Sequence, residues 1–574
     1  MGLSVAAGFD AEPLSKQHNG RMPSGAELFT STLQHWGVNE VFTLVGDHLN
    51  DVLLAMSQHS IKLIDMRHES GCTHAAEAWS RIHRRPAVSL VTGGPGHTNA
   101  MTGLAAAYLA SCPLVAVSGA PPRRLAGKGA FQDIDQLSMT KAVTKWCGEP
   151  SSVEEVPMFL DRAFRIAMEG RPGPVHLTIP VDLFSAKTED AEPLESIDAK
   201  SNHGEVLPEY LDAMVEMLKT AQRPLVVAGS GVWWASAGGL LQQFIEQSSL
   251  PLLTLAFGRG VVPDSHPLCF GYADAALNRA AAAAFREADA VLVLGKRIDY
   301  RLSFGGVRLF SAETRFLQVD IEATELGRNR ELAFEYHGDL NDVLSTLVKM
   351  PVEWPARSEW LRRLADLRSE WQQSLAERGL DHQSTPISPP AFFQELSKHI
   401  PDGTMYSWDG GDFVHWGRAI LPANEPGGWI RLGPMAAIGS GLPNAVSLKL
   451  ANPDRPVILF TGDGSLGFYM AEIDTLVRHG LPVVIIVGND AGWGLERELQ
   501  SARKSDPVAC ELRATRYDII TQGFGGDGEL IERLDQVGPA MQRALASKVP
   551  YCLNVQIRGE RSPFTEWQVA GMPK

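Results

Sequence analysis

Along the 574-residue chain, short apolar runs alternate with longer segments of helical spacing, and most runs end in a turn rich in glycine or acid. The clearest instance spans 457–494. Two apolar runs, 457–461 and 482–487, flank one segment of helix length, which predicts a βαβ unit with parallel strands. The first run ends in Gly462-Asp463-Gly464 and the second in Asn489-Asp490-Ala491-Gly492. Carboxyl ends of neighbouring parallel strands form the crevice in which an open α/β sheet takes its ligand. Asp463 and Asp490 are therefore predicted to face one space.

The same rhythm organises the rest. A helix at 25–36, strand at 40–45, helix at 49–58, strand at 61–65, helix at 71–81 and strand at 87–92 predict a doubly wound sheet within residues 23–188. Its turn Gly93-Gly94-Pro95-Gly96 leads into an Ala-rich helix at 100–110, where small side chains let the backbone approach a ligand or partner. Apolar runs at 224–229, 252–254, 290–294 and 316–319 predict a second such domain over 206–350. A charged, Trp-containing stretch within 351–384 reads as a surface helix and linker, and 385–557 forms the third domain. The predicted fold class is α/β, three doubly wound domains with mainly parallel sheets. Residues 1–22 read as a polar tail, and 558–574, with Arg561, Phe564 and Trp567, as a tail able to close over a substrate.

Composition narrows the class. A hydrophobic fraction of 44% with 21% charged residues is that of a soluble globular protein. The net charge of −15 leaves no cationic excess for nucleic acid. Six scattered cysteines form no CxxC pair, so neither a zinc site nor a disulfide framework is suggested, and a reducing compartment fits best. No apolar run approaches the ~20 residues that span a bilayer, and the start lacks a signal architecture, so a cytoplasmic enzyme is expected.

Paired acidic turns at strand ends suit a metal-bridged diphosphate, because Mg²⁺ shares an octahedron of oxygens among a few carboxylates, water and phosphate. Gly464 and Ser465 open the next helix, where amides meet a phosphate unobstructed. Twenty-four residues lie between Gly464 and Asn489. This arrangement resembles the thiamine-diphosphate motif, and the resemblance makes Asp463, the Asp490 side chain and the Gly492 carbonyl the metal ligands. Asn is the usual residue at position 490, so Asp490 adds a negative charge beside the diphosphate.

In the first domain, Glu69 directly follows a strand in Arg67-His68-Glu69. The segments starting at Arg67, Gly93-Gly94-Pro95-Gly96-His97-Thr98-Asn99, Gly129-Ala130-Phe131-Gln132 and Gly170-Arg171-Pro172-Gly173 occur in order. Together they resemble the pyrimidine-binding domain of the acetolactate synthase superfamily, which implies that Glu69 hydrogen-bonds the cofactor's aminopyrimidine. In the third domain the resemblance places Gly410, Gly411 and Asp412 at the diphosphate and Ala436 and Trp493 beside the cofactor. It puts Ile438 under the thiazolium ring as the wedge that bends the cofactor, with Met435 as a competing assignment.

The segment from Gly295 to Gly305, with Phe316 to Ile321 after it, resembles oxalyl-CoA decarboxylase and 2-hydroxyacyl-CoA lyase. That implies an adenine nucleotide, ADP rather than FAD, held by Arg297, Asp320, Ile321 and Asp339; the alternative is a domain that keeps the fold without one. His48 and Gln132 fall where benzaldehyde lyase has a histidine and a glutamine, and His97 and Glu496 are further candidates around the substrate. The implied activity is a thiamine-diphosphate- and Mg²⁺-dependent C–C lyase or ligase. The nearest likeness is to 2-hydroxyacyl-CoA lyase, giving formyl-CoA plus an aldehyde or ketone. A CoA-independent carboligase of the acetolactate synthase or benzaldehyde lyase kind, acting on a 2-oxo acid or aldehyde, competes with it, as does an oxalyl-CoA-type decarboxylase. Arg123, Arg124, Lys128, Arg497, Arg503 and Lys504 are the basic residues available to offset CoA phosphates. Glu69 and Asp463 lie in different domains, which the family joins across subunits, so a homodimer at least, and a homotetramer by likeness, is expected.

Overall fold

The computed structural model describes residues 22–190 and 206–572. The chain divides into two compact units, 1–199 and 200–574. The predicted tail 1–22 lies outside the described residues except for Met22, as do the last two residues of the C-terminal tail.

The first unit is built on a six-stranded sheet, β1 (Glu40–Thr43), β2 (Lys62–Asp65), β3 (Ala87–Val91), β4 (Leu114–Ala120), β5 (Trp146–Gly148) and β6 (Val175–Pro180), in the order β2-β1-β3-β4-β6-β5. Every pairing is parallel. β3 and β6 are buried along their whole length, which is why they read as continuous apolar runs rather than as alternation. The strand order reverses between β1 and β3. Chain leaving those two strands therefore departs to opposite sides and opens a crevice at their carboxyl ends. The turn at Asp47–Leu49 follows β1 and the helix Pro95–Ala110 follows β3.

The second unit holds two further parallel six-stranded sheets. The central one comprises β7 (Pro224–Ala228), β8 (Leu252–Thr254), β9 (Cys269–Tyr272), β10 (Ala290–Leu294), β11 (Arg315–Asp320) and β12 (Phe334–His337), ordered β12-β11-β10-β7-β8-β9. The third comprises β13 (Met405–Trp408), β14 (Trp429–Arg431), β15 (Val457–Gly462), β16 (Val484–Asn489), β17 (Asp527–Ile531) and β18 (Tyr551–Gln556), ordered β14-β13-β15-β16-β18-β17. Its switch point falls between β13 and β15. Beneath it lies an aromatic core in which Trp408 stacks on Phe460 at 4.5 Å and Phe393 packs against Phe413 at 4.7 Å.

Three local expectations need correction. The segment between β15 and β16 is two helices, Asp463–Tyr469 and Glu472–Arg478, rather than one. Tight bonds from Ile473 N–H to Met470 O and from Asp474 N–H to Ala471 O make a turn that re-aims the second helix. The linker helix Ser358–Arg378 is not merely a surface element: Trp360 is buried in the central core and its Nε1–H donates to Pro224 O at 2.9 Å. The C-terminal tail forms the helix Pro563–Ala570, docked in this structure. Ser562 and Thr565 are fully buried, Phe564 stacks on His415 at 4.2 Å, and Trp567 receives the guanidinium groups of Arg279 and Arg308.

Candidate active site

The third sheet assembles one site from three strand ends. Asp409, Gly410 and Gly411 follow β13, Asp463 follows β15, and Asp490 with Gly492 follows β16. A cavity of about 170 Å³ opens there, lined by Gly411, Asp412, Ile438, Asp463, Gly464, Ser465, Asp490, Gly492, Trp493 and Glu496 among others. Asp463 is 2% exposed and accepts the Gly492 N–H at 3.0 Å, which ties the two acidic turns together. Burial, then the neighbouring charge of Asp490, pushes the Asp463 carboxyl up to about 7. Burial also raises Asp490, while Arg497 at 2.5 Å pulls it back. Two buried carboxylates, both raised by burial and one of them also by its neighbour's charge, are a site prepared for a cation. Among the described residues no cluster of three His, Cys, Asp or Glu side chains is available, so any shell must be completed by carbonyl, phosphate and water oxygens, as Mg²⁺ prefers.

The floor is shaped by close approach. A Cβ on Gly464 would lie 2.6 Å from the Trp493 ring, and one on Gly410 would lie 2.5 Å from Ile438 Cγ2. Both positions exclude a side chain and leave a bare cradle for a diphosphate. Ile438 is thus wedged against the Gly410 turn. Asp409, which the sequence reading passed over, locks this arrangement. One of its oxygens accepts the Gly410 and Gly439 N–H groups, each at 2.8 Å, and the other accepts Thr461 Oγ1 at 3.0 Å. Burial raises its carboxyl to about 6. Of the residues assigned to the cofactor here, Ala436 takes a left-handed φ of 54° on the exposed side of the Ile438 loop. Asp412 departs from expectation. It lines the cavity, but its two carboxylate oxygens accept from Ser562 N–H and Thr565 Oγ1, so they hold the C-terminal helix.

Glu496 lies on the helix Gly494–Ala502, exposed and in no ion pair among the described residues, whereas Glu498 pairs with Arg561 at 2.8 Å. Arg497 is committed to Asp490 rather than to solvent.

In the first unit, Glu69 is the first residue of the helix Glu69–His83, and Asn99 Nδ2 donates to its Oε2 at 2.9 Å. Gly96 approaches the other oxygen, since a Cβ there would sit 3.5 Å from Oε1. The switch-point turn is pinned from two sides. Gly93 N–H donates to His48 Nδ1 at 3.2 Å, and Gly94 N–H donates to Gln136 Oε1 at 3.3 Å. The first bond fixes the histidine tautomer: with Nδ1 accepting, the neutral ring carries its proton on Nε2. Burial lowers the His48 pKa and favours that neutral ring. Gln136 was invisible as a functional position because only its side-chain bonds single it out. Gln132 adopts φ 62° with its Cβ against Gly94. His97 does not join this group. Its ring is 1% exposed and shares a hydrogen bond with Ser118 Oγ at 2.9 Å, and Ser118 Oγ contacts His176 Nε2 at 3.0 Å. The helix beginning at Pro95 turns its third residue toward the sheet, which carries His97 into the interior.

The central candidates gather along β10, β11 and β12, where Arg297 and Asp320 lie at strand ends. Two carboxylates have local duties: Asp320 accepts Glu322 N–H at 3.0 Å, and Asp339 caps a helix by accepting Asn341 N–H at 2.7 Å. Ile321 O contacts His337 Nε2 at 3.0 Å.

Three family models cover this architecture. They are the N-terminal TPP binding domain of thiamine pyrophosphate enzymes over residues 23–139, the central domain over 211–347 and the C-terminal TPP binding domain over 409–555. The chain belongs to the thiamine pyrophosphate enzymes. Within them it is similar to an acetolactate synthase large subunit of Mycobacterium tuberculosis, 34% identical over 95% of this chain and 97% of that protein. It is also similar to the large subunit of acetolactate synthase isozyme 1 of Escherichia coli, at 32% over 94% of this chain and 95% of that one. 2-Hydroxyacyl-CoA lyase 1 of Mus musculus is 29% identical over 93% of this chain and 94% of its own length. The chain is therefore a thiamine-diphosphate-dependent enzyme of the acetolactate synthase and 2-hydroxyacyl-CoA lyase family. No helix among the described residues is long and apolar enough to cross a membrane.

Proposed function

We propose that the enzyme uses Mg²⁺ with thiamine diphosphate to make or break a C–C bond next to a carbonyl, and that its substrate is a 2-oxo acid or aldehyde without CoA. The observation that carries the proposal is the pair of buried carboxylates, Asp463 and Asp490, at the switch point of the third sheet above a glycine cradle. When bound, the cofactor would supply a nucleophilic thiazolium carbon that bonds to the carbonyl carbon and a cationic ring that takes up the electrons of the breaking bond. Asp463, Asp490 and the Gly492 carbonyl hold Mg²⁺, Gly464 and Ser465 meet the diphosphate, and Ile438 is the wedge. Asn99 fixes one oxygen of Glu69, and the other is offered to the aminopyrimidine. His48 acts as a neutral Nε2–H donor to a developing alkoxide, so proton acceptance falls to Glu496.

The CoA-free substrate is supported by the fate of two basic residues. Arg497 is neutralised by Asp490 and Arg123 by Asp182 at 2.9 Å, so neither is spare for a CoA phosphate. The greater identity to acetolactate synthase points the same way. A 2-hydroxyacyl-CoA lyase is the second reading, favoured by Arg124, Lys128, Arg503 and Lys504, which are exposed. The reading needs no adenine nucleotide, given that Asp320 accepts the Glu322 N–H and Asp339 caps a helix. By likeness to the family, which joins the first and third domains across subunits, we take the active form to be at least a homodimer, and a homotetramer. The test is to supply thiamine diphosphate, Mg²⁺ and, in separate reactions, pyruvate, aldehydes or 2-hydroxyacyl-CoA thioesters, and to weigh the products. Acetolactate or an acyloin is expected; formyl-CoA with a released aldehyde or ketone, and no acyloin, would install the lyase instead.

A further inference from the structure

The turn that carries the proposed metal ligands contains an unusual charge, and the structure shows what answers it. Asp490 extends from the end of β16 into the cavity, 11% exposed at its side chain, and Arg497 Nη2 meets its Oδ2 at 2.5 Å from the next helix. Arg497 is itself 19% exposed, and its other terminal nitrogen lies 3.7 Å from Glu511. That second contact is weak, because Glu511 is 73% exposed. The backbone supplies a firmer tie: Trp493 N–H donates to Cys510 O at 2.7 Å and Leu512 N–H to Ala491 O at 2.8 Å. The turn 490–493 is thus a short ladder against 510–512, and the Arg497 guanidinium lies across it.

This geometry has an electrostatic consequence. A diphosphate and two carboxylates around one divalent cation leave a surplus of negative charge, and every extra charge is costly among groups as buried as Asp463 and Asp490. A guanidinium in contact with Asp490 returns that position to electrical neutrality while leaving its second oxygen, Oδ1, available. We propose that Arg497 is the counter-ion of Asp490, and that the two act as one neutral metal ligand, the charge equivalent of an asparagine. Arg497 is thereby a positioning residue that tunes the cation against the diphosphate. The inference rests on the cofactor reading given above.

Affinity for Mn²⁺, followed by the paramagnetic resonance of the free ion on protein saturated with thiamine diphosphate, separates the possibilities without reference to turnover. Arg497→Met leaves an uncompensated carboxylate and should tighten Mn²⁺ by about tenfold, while Asp490→Asn leaves an uncompensated guanidinium and should weaken it by about as much. The double variant should return to within about twofold of the native protein, because removing both charges of a neutral pair leaves the net charge beside the cation unchanged. Arg497→Lys, which keeps the charge, should also stay near the native value and guards against a merely structural loss. Single variants that shift affinity in the same direction, a double variant that stays about tenfold from the native value, or an Arg497→Lys as perturbed as Arg497→Met would each overturn the proposal. Native protein that takes up no Mn²⁺ with the cofactor present would instead bring down the metal reading and this inference together.

Discussion

At the scale of single residues, neutral and charged groups are sorted by burial. His97 and His176 share Ser118 inside the first unit, and burial lowers His97 to about 4 and His176 well below its ordinary value. A histidine whose folded pKa is depressed favours the folded state fully above its unfolded value near 6.5, and that contribution is lost as pH falls toward the folded value. The first unit should therefore lose about 1 kcal/mol per histidine by pH 5.5. Amide exchange in β4 and β6, corrected for its intrinsic pH dependence, should speed up by about thirtyfold between pH 7.5 and 5.5. Unchanged protection would show that the pair is not kept neutral by the fold. The meeting of the two acidic turns was legible in the sequence because Asp463, Asp490 and Gly492 end the neighbouring strands of one βαβ unit. Asp409, Gln136 and Arg497 were not, because their roles arise from side-chain bonds between segments distant in sequence or one helical turn away. His97 was misplaced for a related reason: sequence locates it after the glycine turn but does not say which face of the helix it takes.

At the scale of elements, the strands that read as continuous apolar runs were predicted almost to the residue, as with 290–294 and β10. The edge strands β9 and β12 were missed; β12 is partly exposed along its length and lacks that signature. The docked C-terminal helix was also unforeseen as a fixed element, since its anchor is Asp412, which had been assigned to the cofactor. Replacing Asp412 with Ala strips the acceptor from Ser562 N–H and Thr565 Oγ1, at about 1–3 kcal/mol. Hydrogen exchange across 562–570 should then rise at least tenfold while β15 stays protected; equal exchange in both proteins would mean that the helix is held by other contacts. Burial raises the Asp412 carboxyl to about 6, above its ordinary value. The folded state therefore binds that proton more tightly than the unfolded one, and its contribution to stability falls as pH rises from about 4 to 6, opposite in sign to the histidines.

At the scale of the whole molecule, three sheets of one construction are used differently. In the first and third, the switch between β1 and β3 and that between β13 and β15 bring together residues proposed for the cofactor, His48 and Gly93 in one and Gly410 and Asp463 in the other, with Glu69 and Asp490 following the adjacent strands β2 and β16. In the central sheet the switch falls between β7 and β10, and the candidates Asp320 and Asp339 lie away from it, at the end of β11 and after β12, in local hydrogen bonds. The fold class was legible because the strand–helix alternation persists over all three domains, whereas substrate choice rests on a few side chains and on charges whose partners sequence does not reveal.

The most direct test of the account is a calorimetric titration of thiamine diphosphate into the full-length protein, with Mg²⁺ and with a chelator in its place, on the native chain and on Asp463→Ala. The account predicts saturable binding of one cofactor per chain that requires the divalent cation and is lost in Asp463→Ala. Equally tight binding in the chelator, or in Asp463→Ala, would contradict it.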